Sequence, residues 1–343
     1  MVAIIGVAAY LFFTPPTLPT TPVTPKVWRW STGDPGSAGY RATGWATYIL
    51  SQEMPSYQAI TLPYSGTTAA IKGCCKGEAE TCWSSVFGMM LLHTASGPFK
   101  DFKPQKIPTA SWFATGTVIH FLTTPEKAKE IRSWRDLEGR NVYLGPSGYV
   151  NHYMLRFAFE KIGLHVNHIE MSTGMVAEAL RKGTIDATMM YDVTGLPTWG
   201  QELDISLDIV AINPSEKEIE ELRKAGFEIG KMSAKVYSQD VGTDVIYGLY
   251  DPWGYWTTLD IPEDAVYNML KAFEKRIKDF KDPIYDHIRE VGFVALQREG
   301  VEAIVKYNVK YNVNILIHPG LAKYLREKGA WDPQWDKYIA TTK

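Results

Sequence analysis

Three cysteines among 343 residues are too few for a disulfide framework or a Cys-rich zinc module. Neither sign of charge is in excess. Lys and Arg number 36 against 38 Asp and Glu, a formal net charge of −2, so no basic surplus points to nucleic acid. Hydrophobic residues at 45% and charged residues at 22% exclude a disordered chain. No apolar run reaches the roughly 20 residues of a full membrane span. G-x-S-x-G and H-E-x-x-H do not occur, nor does Ser-x-x-Lys with its companion motifs, so no activated nucleophile is legible. The seven histidines are scattered; His165 and His168 are three apart on a strand-like stretch, which separates their faces and makes no metal pair. The chain therefore reads as a non-enzyme with no cofactor. Aromatics are abundant at 13%, with 11 Trp and 19 Tyr, and offer many stacking surfaces.

Residues 1–25 carry no charged side chain. Residues 1–13 (MVAIIGVAAYLFF) are an apolar run that fits a signal sequence or membrane anchor. Residues 14–25 are Thr, Pro, Leu and Val only, and Pro locks φ and removes donors, so this tract is expected to be extended and semi-rigid. At about 3.1 Å per residue it reaches roughly 37 Å. Anchor plus stalk reads as a domain held off the outer face of a membrane.

The remainder alternates strands and helices. Strands are predicted at 26–30, 59–63 and 81–84, with a Gly-rich turn and helix (to about 52) after the first and a helix (to about 76) after the second. Gly77 stands where a helix C-terminal glycine belongs. The same order returns about 110 residues later: strands at 141–144, 168–171 and 185–190, helices over 151–162 and from Ser172-Thr173-Gly174 to Lys182-Gly183. Lys76-Gly77 matches Lys182-Gly183 in this weak repeat. Alternation of this kind means parallel sheets covered on both faces, with ligands beyond the carboxyl ends of the strands. Crossings between two lobes are expected near 115–121 and 236–245, before a strand region at 246–256. Helices are expected over 263–278, 284–305 and 319–328, and 217–223 reads as a solvated, charged helix face.

Glycines 33, 36 and 39 follow the first strand, but G-x-x-G-x-x-G is not the dinucleotide fingerprint G-x-G-x-x-G. The simpler reading is backbone N–H groups at a helix start that hold an anion or carboxylate. Ser65, Thr67 and Thr68, like Ser147, Ser172 and Thr173, are helix caps or ligand hydroxyls. Cys74, Cys75 and Cys82 are either three reduced core thiols or one disulfide from Cys82 to a neighbour. Trp83, Tyr191, Trp199, Trp253 and Tyr255 flank loops or strand ends, where packing is the default role for Trp; Tyr40, Tyr64 and Tyr149 sit in predicted cleft loops.

Four stretches resemble one family. They are the strand and turn at 30–40, WRDLEGRNVYLGPSG at 134–148, AEALRKGTIDATMMYDVTGLP at 177–197 and IPEDAVYNMLK at 261–271. Their order over about residues 28–280 resembles the TAXI group of extracytoplasmic solute-binding proteins, which serve tripartite ATP-independent (TRAP) transporters. The resemblance implies an α/β, periplasmic-binding-protein-like type II fold: two α/β lobes, a hinge and a central ligand cleft. Residues 26–118 with 241–343 would form lobe I and 119–240 lobe II, after an anchor and linker at 1–25. It implies an extracytoplasmic receptor that closes on a small carboxylate or a glutamate-like amino acid and passes it to the permease subunits of a TRAP transporter. From the first lobe, the implied cleft residues are Asp34, Gly36, Ser37, Gly39 and Tyr40, then Tyr64, Ser65, Gly66, Thr67 and Ser84. From the second they are Ser147, Gly148, Tyr149, Tyr191, Asp192 and Thr194. Arg41 and Arg156 are the candidate cations near cleft helices. Asp34 departs from the family's more Gly-rich turn and favours a ligand that carries an amine. The rival readings are a receptor of an ATP-driven importer, a sensor with the same fold, or an enzyme on a dinucleotide-binding-like fold.

Overall fold

A computed structural model describes residues 25–192 and 194–341; the expected anchor and most of the Thr/Pro linker lie outside them. The first lobe opens with β1 (Lys26–Thr32), α1 (Ala38–Glu53), β2 (Tyr57–Pro63), α2 (Thr67–Cys75), β3 (Thr81–Ser85) and α3 (Val86–His93). A 15-residue strand, β4 (Thr109–Thr123), leads into the second lobe. That lobe holds β5 (Asn141–Tyr143), α4 (Val150–Ile162), β6 (Asn167–His168), α5 (Val176–Arg181), β7 (Ala187–Asp192) and α6 (Thr198–Ser206). It ends with β8 (Val210–Ile212), α7 (Glu216–Ala225) and β9 (Glu228–Ser233). The 13-residue β10 (Val245–Thr257) returns the chain, and α8 (Glu263–Arg276), α9 (Asp286–Val291), α10 (Phe293–Tyr311) and α11 (Pro319–Glu327) follow. These helices pack mainly on the first lobe: α8 on α1, α10 on α3 and β4, and α11 on α8.

The strand order is β2-β1-β3-β10-β4-β7-β5-β6, with β8 beside β4 and β9 beside β10. β1 is parallel to β2 and β3, and β5 is parallel to β6 and β7. Only β4 and β10 belong to both groups. The end of β10 pairs β3 and its beginning pairs β9, while β4 pairs β10 through both lobes and then β7 and β8. A strand from late in the chain inserted antiparallel between β3 and β4 gives the two-lobed, type II arrangement of an α/β binding protein.

The β4–β10 ladder is irregular, with register shifts between Trp253 and Gly254 and between Tyr255 and Trp256. Bulges leave backbone groups without ladder partners, and buried ones must be satisfied. Gln297 of α10, fully buried, does this at Phe113: its Oε1 accepts from the Phe113 amide at 2.7 Å and its Nε2 donates to the Phe113 carbonyl at 2.7 Å. His287 Nδ1 accepts from the Gly116 amide at 2.8 Å. Gly254 is required for the close approach of the strands, since a Cβ there would stand 2.1 Å from the Trp112 carbonyl oxygen.

The structure departs from the sequence pattern in several places. The strand expected at 168–171 is only Asn167–His168, because the His168 side chain, rather than a backbone carbonyl, accepts from the Leu144 amide at 3.2 Å. The helix expected over 284–305 is split at Gly292, whose φ of 96° no right-handed helix accommodates. α3 escaped notice because it is apolar all round (VFGMMLLH) and buried on every side, which removes the helical period. Glu218, expected on a solvated face, is 1% exposed and accepts from the amides of Arg135 and Ser215. Cys74, Cys75 and Cys82 are buried free thiols, so the disulfide alternative is not realised.

Two stability predictions follow from this interior. Gln297→Ala removes both partners of a buried backbone amide and carbonyl, and urea unfolding should show a loss of about 2–5 kcal/mol. His120, His152, His287 and His318 are interior, and burial pushes each down to about 4. Between that value and the unfolded pKa of roughly 6.5 the unfolded chain binds more protons, so their contribution is present above 6.5 and lost as pH falls toward 4. Asp251, pushed up to about 7 by burial, acts the opposite way: its contribution is present in acid and lost as pH rises through 7. His93 is pushed down to about 4 in the same way, and Glu299, raised by burial, acts with Asp251; five histidines oppose two carboxyls, so the urea midpoint should fall on going from pH 7 to pH 4.5. A midpoint that rises over that interval would contradict the buried, neutral state of these histidines.

Candidate functional site

A narrow, partly open cavity lies where the carboxyl ends of β1, β3 and β7 meet the amino ends of α1, α2 and α4, as expected for open α/β sheets. Its free space is about 30 Å3, room for about two waters. Ser37, Gly39, Thr67, Tyr149, Tyr191 and Asp192, all expected from the sequence, line it.

The walls are aromatic. Trp83, on β3, and Trp253, on β10, have ring centroids 5.6 Å apart at an interplanar angle of 32°. From the other lobe, Tyr149 and Tyr191 meet edge to face at 6.4 Å. The small residue at 39 serves this packing, because a Cβ on Gly39 would lie 2.5 Å from Trp83 Nε1. The glycine expected to expose amides to an anion instead makes room for an indole. Burial, together with the nearby Tyr191 and Asp34, raises the Tyr149 phenol well above its ordinary value. Burial does the same to Tyr191, aided by Asp34 and Asp192. Both phenols stay protonated as donors.

Contacts across the cleft hold it shut. Tyr149 donates its hydroxyl to Asp34 Oδ1 at 2.8 Å. The amide and the hydroxyl of Thr68, in the first turn of α2, both donate to the Gly148 carbonyl at 3.1 Å. Arg41 Nη1 donates to Thr198 Oγ1 at 3.3 Å while its Nε pairs with Asp282 at 2.8 Å. Thr194 donates its hydroxyl to the Pro283 carbonyl at 2.7 Å, and its amide donates to Asp192 Oδ1 at 3.0 Å.

The other expected site residues stand elsewhere. Asp34 is not in the wall but behind Tyr149. Gly66 and Gly148 form the loop contact between lobes, and Ser65, Ser147 and Gly36 are half-buried or exposed beside it. Tyr64 turns away to Glu78, to which it donates at 2.8 Å. Ser84 is in the core, with its hydroxyl on the Ser85 carbonyl at 3.1 Å. Tyr40 is half-buried outside the wall, Thr194 holds the rim, and Arg156 lines a separate open groove. Residues not foreseen as ligand-facing include Trp83, Trp253, Thr117, Asn151 and Ile284. The strand-end rule already pointed to Trp83, at the carboxyl end of β3; Ile284 reaches the cleft only because the C-terminal segment folds back. Among the described residues no His, Cys, Asp and Glu cluster could hold a metal ion, and no helix is long and apolar enough to cross a membrane.

The sequence profile of the NMT1-like family matches residues 49–329. No curated protein matches the chain in sequence. Among solved structures, similarity extends to a putative periplasmic sulfonate-binding protein SsuA from Methylobacillus flagellatus at 12% identity, with 92% of this chain and 98% of that one covered and a TM-score of 0.49. It extends also to the aliphatic sulphonate binding protein SsuA of Escherichia coli, at 12% identity, coverage of 88% and 79%, and a TM-score of 0.45. A third is the amino acid ABC transporter substrate-binding protein AbpA of Streptococcus pneumoniae, bound to L-arginine, at 10% identity, coverage of 77% and 94%, and a TM-score of 0.45. At such identities and scores these likenesses say nothing of what this chain binds, and the fold rests on its own strand order.

The loop contact yields a prediction. Gly66→Ala would place a Cβ 2.5 Å from the Gly148 carbonyl oxygen. Each lobe should keep its far-UV circular dichroism, while the Thr68 amide should exchange with deuterium roughly tenfold faster or more. Unchanged exchange at Thr68 would show that the contact does not form in solution.

Proposed function

The chain belongs to the NMT1-like family, and from that membership and the cleft we propose that it is an extracytoplasmic solute-binding receptor. It closes two lobes on a small organic solute and delivers it to a membrane transporter, without chemistry of its own. The observation that carries this reading is the narrow aromatic cavity, lined from both lobes and, among the described residues, bridged by two strands. The lobes expected as 26–118 with 241–343 and as 119–240 are taken with the second boundary moved to about 251, because residues 245–250 pair β9 of the second lobe. The hinge is taken where Gly116 and Thr117 pair Pro252 and Asp251, next to the β-bulges. Ser37, Gly39, Thr67, Tyr149, Tyr191 and Asp192 are assigned to the ligand, and Asp34 to the positioning of Tyr149.

The finer reading is a TAXI-type receptor of a TRAP transporter, held outside the membrane by residues 1–13 and the Thr/Pro linker. Its support is the ordered motif resemblance at 134–148, 177–197 and 261–271. Uptake in vesicles that collapses with an ionophore but survives removal of ATP is the expected result. The reverse pattern would assign the receptor to an ATP-driven importer.

The receptor reading itself is tested by thermal unfolding of the full chain against amines, amino acids, carboxylates and sulfonates. A ligand at about 100 times its Kd should add roughly 2.7 kcal/mol of stability. The expected outcome is a shift with one chemical class and no product formed. No shift with any class, and no small molecule recovered from the denatured protein by mass spectrometry, would sink the receptor reading.

A further inference from the structure

We infer that the cavity is built for a solute bearing a positively charged ammonium group, boxed by Trp83, Trp253, Tyr149 and Tyr191 and faced by the carboxylate of Asp192. This rests on the receptor reading and narrows it. The four rings are between 5% and 9% exposed, two from each lobe, so closure brings π faces and edges together around one small space. A cation against such faces is attracted by the ring quadrupoles, and the attraction grows when water is excluded.

The charges agree. Asp192, 4% exposed and held by the Thr194 amide, is a charged side chain of the wall, and among the described residues no Lys, Arg or His lines the cavity. Asp34 adds a second carboxylate one hydrogen bond behind Tyr149. Arg41, at the rim, is engaged by Asp282 and Thr198. A carboxylate ligand shut in here would lose its water, gain no cation and face Asp192, an arrangement strongly disfavoured at low dielectric. Two amides at the helix starts that border the cavity are already engaged within the protein. In α1 the Tyr40 amide is capped by Ser37 Oγ, and in α2 the Thr68 amide is taken by Gly148.

A second observation is independent of charge. Asn151, 3% exposed and part of the wall, has a buried side-chain oxygen with no hydrogen-bond partner. Such an acceptor calls for a donor from outside the protein, and Trp253 Nε1, also buried in the wall without a partner, calls for an acceptor such as a hydroxyl oxygen, since an unmet buried group is costly. An ammonium N–H, or a hydroxyl on the same small cation, supplies the donor.

The test uses the full chain, with intrinsic Trp fluorescence and calorimetry. The probes are choline, ethanolamine and glutarate, which separate a methylated ammonium, a primary ammonium and a dicarboxylate. The expected result is binding of at least one cation and none of glutarate. Tyr191→Leu and Asp192→Asn should each weaken the cation tenfold or more, and Tyr191→Phe should restore most of what Tyr191→Leu loses. Circular dichroism of each variant separates lost binding from lost folding. Glutarate binding without either cation would overturn this inference and leave the receptor reading intact. If no probe binds, mass spectrometry of the denatured protein decides: a recovered cation supports the inference and a recovered anion overturns it. An empty cleft that answers no probe overturns the receptor reading and this inference with it.

Discussion

The antiparallel pairing of β4 with β10 is the interaction on which the rest depends. Among the described residues every other strand belongs to one lobe, and these two carry a ladder through both. The ladder survives its own irregularity because helices from the end of the chain complete it. Gln297 closes on the Phe113 amide and carbonyl, and His287 receives the Gly116 amide. The C-terminal helices therefore do more than cover the first lobe. They supply the hydrogen bonds that let the crossing strands bulge without leaving buried polar groups unmet. Asp251, paired opposite Thr117 on the same ladder, accepts from the Phe87 amide at the start of α3 at 3.0 Å and ties that helix to the crossing.

From that crossing the cleft follows. Two lobes joined by a narrow ladder present the ends of their strands to each other, and their loops meet through a handful of polar contacts. Those contacts are few and small: a phenol on a carboxylate, one carbonyl between two donors, an arginine on a hydroxyl. Each is worth about 1 kcal/mol net. Contacts of that size oppose separation of the lobes only lightly, so on the receptor reading a bound solute would tip the balance between open and closed. The aromatic walls give the solute something to tip it with. Trp83, Trp253, Tyr149 and Tyr191 come from different elements, so the box is complete only when the lobes are together.

Much of the architecture was legible because its signals are local. The strand–turn–helix alternation marks β1, α1, β2, α2 and β3 within a few residues, and Gly77 and Gly183, at φ of 80° and 69°, sit at helix ends as expected. Tyr191 and Asp192 were placed at the cleft by the motif resemblance and Tyr149 by its position in a cleft loop, and all three line the cavity. What escaped is non-local. α3 shows no period because it is buried all round. β6 stops after two residues because a histidine ring takes over a ladder bond. Trp83 and Trp253 read as packing, the common fate of Trp, until Gly39 was seen to yield its space to an indole.

The sequence by itself determined the strand–helix alternation of β1 to β3 and of β5 to β7, the parallel pairing within those groups and the two-lobed class. Those rest on periodicity, glycine placement and the handed connectivity of β-α-β units, all carried by neighbouring residues. Only the tertiary structure decided which side chains face the cavity and with what charge. That outcome depends on register shifts in β4 and β10, on a C-terminal segment that returns Ile284 to the wall, and on Tyr64 and Ser84 turning away. A one-residue change of register moves a strand's side chains to the opposite face. The composition of a cleft made from distant segments is therefore fixed by packing, not by any stretch that can be read alone.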